Sequence, residues 1–142
     1  MVSVGGGHTE AMKLKHRDFG IITSELAASR DFYVTHFGFT AVYEAEWYIH
    51  LKNGEIELGL MAPGLEKQPA CYHKPYSGDG IWLSWEVDDV DAEYERLQAA
   101  GVAALEPPQD RPWGERQFVV RDPNGFALNI AKSIPVDPSF YA

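Results

Sequence analysis

The residues of this chain best suited to chemistry stand next to apolar neighbours on segments that read as β-strands. Asn129 lies between Leu128 and Ile130, Glu57 between Ile56 and Leu58, and Ser84 between Leu83 and Trp85. Side chains alternate across a strand, so if the apolar neighbours enter a packed layer, these residues face the other way. Asp18, Trp82 and Glu86 fall on the same faces of their own strands. Were those faces to meet in one place, they would offer acids, an indole, a hydroxyl and an amide. An indole face attracts cations and stacks on flat rings, while carboxylates supply counter-charge, so the set suits a planar or cationic organic ligand. It suits a metal poorly. Indole nitrogen has no lone pair to give, and the amide of Asn129 is a weak oxygen ligand where a metal enzyme would want a carboxylate.

Each candidate also has a plainer reading. Trp82 could be a core aromatic filling an unused cleft. Asp18 and Glu57 could be solvated or paired with Arg17, Arg116 or Arg121; close together and buried, they would share a proton like a general acid/base pair. Trp47, Tyr48 and His50 lie on a strand that could form a cleft rim, yet a lone strand histidine is usually structural. Trp113 and Arg116, in Trp113-Gly114-Glu115-Arg116, precede the closing strand, and Arg116 reads as a ligand contact or as one half of an ion pair. His16 shares the face of Asp18 but lies two residues further along. Cys71 has His73 and Lys74 nearby, an arrangement that is more often incidental than nucleophilic.

The elements that must position these residues come in two sets. Leu14–Thr23 is expected as a strand, followed by a helix that Ser24 caps and Gly38 stops, carrying Leu26, Tyr33 and Phe37 at helical spacing. Strands are expected over Phe39–Glu44, Trp47–Leu51 and Glu55–Met61, the last two joined at Asn53-Gly54. Pro63–Gly80 is a long, Pro- and Gly-rich connection, a linker or a lid. Ile81–Val87 is the next strand, Asp88 and Asp89 cap a second helix carrying Val90, Tyr94 and Leu97, and Gly101 ends it. Ala103–Glu106 could be a short strand, with Pro107–Pro112 interrupting the second set at its middle strand. Gln117–Val120 and Phe126–Ala131 form a hairpin around Asp122-Pro123-Asn124-Gly125, where Pro123 presets φ and Gly125 supplies a positive one. Ser24 and Asp88 are 64 residues apart and Gly38 and Gly101 are 63 apart. Two copies of a βαβββ unit explain this spacing. The expected plan is a leader over 1–12, modules over 13–62 and 81–134, a linker over 63–80 and a tail over 135–142.

The totals narrow the partners. Twelve Lys+Arg against 21 Asp+Glu give −9, with a sequence pI near 4.9, which argues against nucleic acid. A hydrophobic content of 45% supports a proper core. No stretch approaches a membrane span and the first ten residues lack the regions of a signal peptide. The single cysteine excludes an intrachain disulfide, so a reducing, cytoplasmic setting is expected.

Phe19–Phe39, Trp85–Gly101 and Trp113–Ile130, in that order and with the repeat, resemble the vicinal-oxygen-chelate superfamily of glyoxalase I, extradiol dioxygenases, fosfomycin-resistance enzymes and bleomycin-resistance proteins. The resemblance covers roughly 12–134. It implies an α+β fold in which two βαβββ modules curl mixed sheets around a cleft, completed in a homodimer. It also implies a divalent-metal site whose four ligand positions fall on Asp18, Glu57, Trp82 and Asn129. Those residue types point to the metal-free, bleomycin-resistance-like branch: a small-molecule, antibiotic-type binding protein with no cofactor. Its ligand-binding residues would be Asp18, Trp47, His50, Glu57, Trp82, Ser84, Glu86, Trp113, Arg116 and Asn129. The alternatives are a divalent-metal-dependent lyase, isomerase or dioxygenase of the same superfamily, and an interaction module with a vestigial cleft.

Overall fold

The computed structural model describes residues 11–140. Of the expected leader, only Ala11 and Met12 lie within the described residues, and both are exposed. The first module runs β1 (Phe19–Ile22), α1 (Leu26–Phe37), β2 (Thr40–Glu44), β3 (Tyr48–Asn53) and β4 (Ile56–Met61). The second runs β5 (Trp82–Glu86), α2 (Val90–Ala99), β6 (Gln109–Arg111), β7 (Glu115–Arg121) and β8 (Ala127–Ser133). The sheets are wired identically, β1-β4-β3-β2 and β5-β8-β7-β6. In each, the first strand pairs in parallel with the last and the other pairs are antiparallel. The repeat is therefore real, and both sheets are mixed.

Local chemistry accounts for most boundaries and corrects four expectations. The first strand is shorter than Leu14–Thr23, since pairing with β4 begins at Phe19. Ser24 does not cap α1. Glu25 holds the cap position, and the Thr23 hydroxyl accepts the Glu25 N–H at 2.8 Å, turning the chain before the helix starts. Gly38, at φ 69°, ends α1 in the left-handed conformation that glycine adopts without strain. For α2 the cap is Asp89, whose carboxylate accepts from the Ala92 N–H at 3.0 Å, with Asp91 and Glu93 in the favourable first turn. The β3–β4 hairpin turns through Gly54 and Glu55, with Asn53 paired to Ile56, so Asn53 closes the ladder and Gly54 alone takes positive φ. Ala103–Glu106 contributes only one bridge, Ala104 to Val120. The third short edge strand is β6, squeezed between Pro108 and Pro112, a placement proline tolerates at a sheet edge.

One continuous core joins the modules. Ile49, Leu51, Leu58 and Leu60 from the first sheet and Phe118, Val120, Leu128 and Ile130 from the second are buried beneath the helices. Trp85 of β5 reaches across, its ring 5.5 Å from Phe37 and 5.4 Å from Phe39. Tyr33 of α1, fully buried, donates its phenol to the Asp122 carboxylate at 2.7 Å. Asn124 in the same turn reaches Ser29 at 3.0 Å and Thr23. The turn that closes the second module is thus also the lock on the first. The tail folds back: the Asp137 N–H donates to Pro112 O at 2.9 Å, and Phe140 packs on Trp113. No helix among the described residues is long and apolar enough to cross a membrane.

Candidate functional site

Pairing in the second sheet decides what stands on its free face. Leu128 and Ile130 are buried on the helix side, and Asn129 faces away from them with only 6% exposure. Its cross-strand neighbour on β5 is Ser84, whereas Trp82 lies opposite Ala127. Both ends of the amide are held: Gln117 donates to its oxygen at 2.8 Å and its nitrogen donates to the Ser84 hydroxyl at 2.9 Å. Arg111 in turn donates to Gln117 at 2.8 Å. This chain fixes the amide orientations and leaves the Ser84 hydroxyl proton free to donate outward.

Around this floor lies an open hollow of about 550 Å³, lined by Trp82, Ser84, Trp113, Glu115, Gln117 and Asn129 among others. Trp82 is 66% exposed and Trp113 45%. Trp113 is held in place, its indole N–H donating to Glu115 at 3.0 Å and the Arg111 guanidinium 5.9 Å over its ring. The indole of Trp82 has no partner among the described residues.

The remaining candidates lie elsewhere. Asp18 and Glu57 share a groove of about 300 Å³ at the seam between β1 and β5, which Ser84 also touches. His50 stands on the free face of the first sheet, with Glu57. Glu86 accepts from Ser133 at 2.6 Å. Trp47 lies over the linker, beside Leu65, Pro69 and Tyr72. Arg116 points to the helix side, bonded twice to Asp91 and once to Asp110, which hold its guanidinium firmly protonated. Cys71 is exposed in the linker.

The donor set disagrees with a four-ligand metal site. Trp82 offers no lone pair, and the neutral amide oxygen of Asn129, already accepting from Gln117, is a weak metal ligand. Among the described residues, no three His, Cys, Asp or Glu are grouped to hold a metal ion.

On the first sheet two of the expected residues, His50 and Glu57, are joined to each other and to Tyr48 of the same strand. Tyr48 donates its phenol to His50 Nδ1 at 2.6 Å, and His50 Nε2–H donates to Glu57 at 2.6 Å. The hairpin register pairs Lys52 with Glu57 and His50 with Gly59, so His50 reaches Glu57 along the diagonal. The turn at Gly54 was the available signal. A Cβ on Gly59 would sit 2.7 Å from the Tyr48 oxygen, so glycine makes the space in which the phenol lies. Gly59→Ala should therefore keep the fold and swing Tyr48 off His50, costing under about 1.5 kcal/mol, one hydrogen bond's worth. A changed His50 Nδ1 chemical shift with a near-native melting curve would show it.

The hydrogen bond from His50 holds the Glu57 carboxyl below the usual glutamate range, helped by His16 and Lys52. A depressed folded-state pKa adds stability that is complete above the ordinary glutamate range and is lost as pH falls through the folded value. His50→Gln should flatten that acid limb of a melting-temperature profile. An unchanged limb would contradict the coupling.

Residues 13–130 match the family described as the glyoxalase/bleomycin resistance protein/dioxygenase superfamily. The chain is 29% identical over 126 residues to the anthracycline biosynthesis protein DnrV of Streptomyces peucetius, across 79% of this chain and 44% of that protein. It thus spans less than half of the curated relative it matches. A glyoxalase/bleomycin resistance protein/dioxygenase from Nocardioides superposes with TM-score 0.76 at 24% identity, over 88% of this chain and 87% of that one. A lactoylglutathione lyase from Agrobacterium tumefaciens gives 0.66 at 20%, over 86% and 95%. At such identities the two structures speak for the fold alone. With the family match spanning both modules, the chain belongs to the glyoxalase/bleomycin resistance protein/dioxygenase superfamily.

Proposed function

We propose that the protein captures a planar, ring-bearing small molecule in the hollow of the second module and holds it without a metal. The observation that carries this reading is the pair of exposed indoles, Trp82 and Trp113, on the wall of one hollow. Large aromatics left exposed over a concavity favour a flat ligand, and about 550 Å³ accommodates several fused rings. The Ser84 hydroxyl, backed by the amide chain, is aimed to meet a ligand carbonyl. Glu115 at the wall supplies counter-charge for a cationic substituent.

The relative from Streptomyces peucetius is named for anthracycline biosynthesis. Anthracyclines are fused-ring quinones bearing an amino sugar, and so combine a flat face, carbonyl acceptors and a cation. The mechanism is reversible capture with no bond chemistry, in the manner of a drug-sequestering protein. A second copy of the chain, closing curled sheets into a shared cleft, would cover the open side. The competing reading, a divalent-metal-dependent lyase, isomerase or dioxygenase, needs ligands that Trp82 and Asn129 do not provide.

Titrating chelator-treated protein with an anthracycline, followed by tryptophan emission, tests this reading. Saturable quenching at one ligand per chain, with Kd in the micromolar range or below, is expected. Absence of saturable binding would overturn it.

A further inference from the structure

We propose that the crevice between the two modules, on the helix side of the sheets, is a second ligand site that takes a compact apolar organic cation, such as an arylalkyl ammonium. The cavity measures about 530 Å³ and is lined by both modules. It shares no lining residue with the hollow and meets the Asp18–Glu57 groove only at Ile56 and Trp85.

The repeat identifies this crevice as a seam left open. Two modules of one design create two equivalent places where the turn of one meets the helix of the other. Register fixes the correspondence. Leu58 pairs with Phe19 and Leu51, as Leu128 pairs with Leu83 and Val120. Asn53 therefore holds the place of Asp122, and Ile56 that of Phe126. Along the helices, which begin at Leu26 and Val90, Leu97 corresponds to Tyr33 and Glu93 to Ser29.

At one seam, Asp122 accepts the Tyr33 phenol across the modules at 2.7 Å, Asn124 reaches Ser29 at 3.0 Å, and Phe126 is buried. At the other, each of these partners is changed. Leu97 has no hydroxyl to offer. Asn53 donates to the Phe37 carbonyl of its own module at 2.8 Å, and Ile56, smaller than phenylalanine, is 40% exposed. Asn53, Ile56, Glu93 and Leu97 all line the cavity. The sealed seam shows that the fold can close this space with a packed ring and a buried hydrogen bond. The open seam keeps it as a concavity with an apolar floor and a polar rim, the form of a small-molecule site.

The walls select the ligand. Trp85 and Phe37 are half-buried, with rings 5.5 Å apart, and aromatic walls attract a cation. The charged and titratable groups at the rim are His36 from α1, Glu86 from β5, and Glu93 and Arg96 from α2. Arg96 is occupied: it donates to Glu93 and to the His36 carbonyl, both at 2.8 Å. Glu86 accepts from the neutral Ser133 hydroxyl, and among the described residues no cationic side chain pairs with it. Helix α1 also ends at this cavity, so its last carbonyls add partial negative charge.

The probe is benzyltrimethylammonium, a permanent cation carrying one ring, titrated into isotope-labelled protein and followed by the side-chain amide and indole resonances. Saturable shifts are expected at the Asn53 amide and the Trp85 indole. Ile56→Phe, which restores the ring found at the sealed seam, should weaken binding at least about tenfold. Glu86→Gln should weaken it about three- to tenfold. Melting curves report the folding of each variant, and should Ile56→Phe not fold, Glu86→Gln, a change at an exposed rim, decides. Because the readout is residue-specific, it stands whether or not the hollow captures its own ligand. Shifts confined to Trp82 and Trp113 would assign the probe to the hollow and overturn the proposal. So would the absence of a saturable shift, or wild-type affinity in either variant.

Discussion

Asp122→Ala should destabilise the protein by about 3–4 kcal/mol, the largest effect expected of any single polar change here. The Asp122 carboxylate is 5% exposed and accepts the N–H groups of Asn124 and Phe126 at 2.8 and 2.9 Å, together with the Tyr33 phenol at 2.7 Å. Truncation removes the acceptor of these three donors and of the Asn124 side-chain amide, which donates to it at 3.3 Å, and the Tyr33 donor is sealed from water. Each unsatisfied buried group costs about 1–3 kcal/mol, and neighbours in one network do not add fully. Tyr33→Phe removes one donor and should cost about 1–2 kcal/mol. Because Tyr33 belongs to the first module and Asp122 to the second, the double variant should cost less than the sum of the singles. Urea unfolding of all three gives the coupling. Additive losses would mean that the turn does not lock the modules together.

The second large effect falls on binding. Trp113→Ala should weaken a planar ligand by about 2–3 kcal/mol, roughly 30- to 150-fold in Kd, and Trp82→Ala by about 1–2 kcal/mol. The ranking follows from preorganisation. Trp113 is already fixed by Glu115, Arg111 and Phe140, whereas Trp82 must be ordered when the ligand arrives, offsetting about 0.5–1.5 kcal/mol of its contribution. Trp82 is exposed enough that stability should hold within about 0.5 kcal/mol, while Trp113→Ala, losing its contacts to Glu115 and Phe140, should cost about 1 kcal/mol. Calorimetric titration with an anthracycline measures each. Equal affinities in wild type and both variants would place the ligand elsewhere.

The contrast between what was legible and what was not has physical causes. The repeat could be read because helix stops and turns are local: Gly38, Gly54, Asp89 and Gly125 each impose a conformation on their own neighbourhood. Alternation around Asn129 was equally local, and its burial among Gln117 and Ser84 follows the pleat. What escaped depended on pairing at a distance. A parallel register is set by no turn, so nothing local showed that Ser84, rather than Trp82, lies across from Asn129. The edge strand β6 was masked by flanking prolines that an edge tolerates. Arg116 lies one residue from the face of Glu115 and Gln117, and that one step sends it to Asp91 on the helix side. The Tyr48–His50–Glu57 chain was within reach, since the turn at Gly54 fixes which residues of β3 and β4 meet.

The most direct test of metal-free capture is a thermal-shift measurement on chelator-treated protein, with an anthracycline added alone, a divalent metal added alone, and both together. A ligand that binds only the native state must raise the melting temperature. The account predicts a rise with the anthracycline that Ni²⁺, Zn²⁺, Mn²⁺ or Fe²⁺ neither produces nor enlarges. A stabilising, stoichiometric metal, or an anthracycline shift that appears only with metal present, would contradict it.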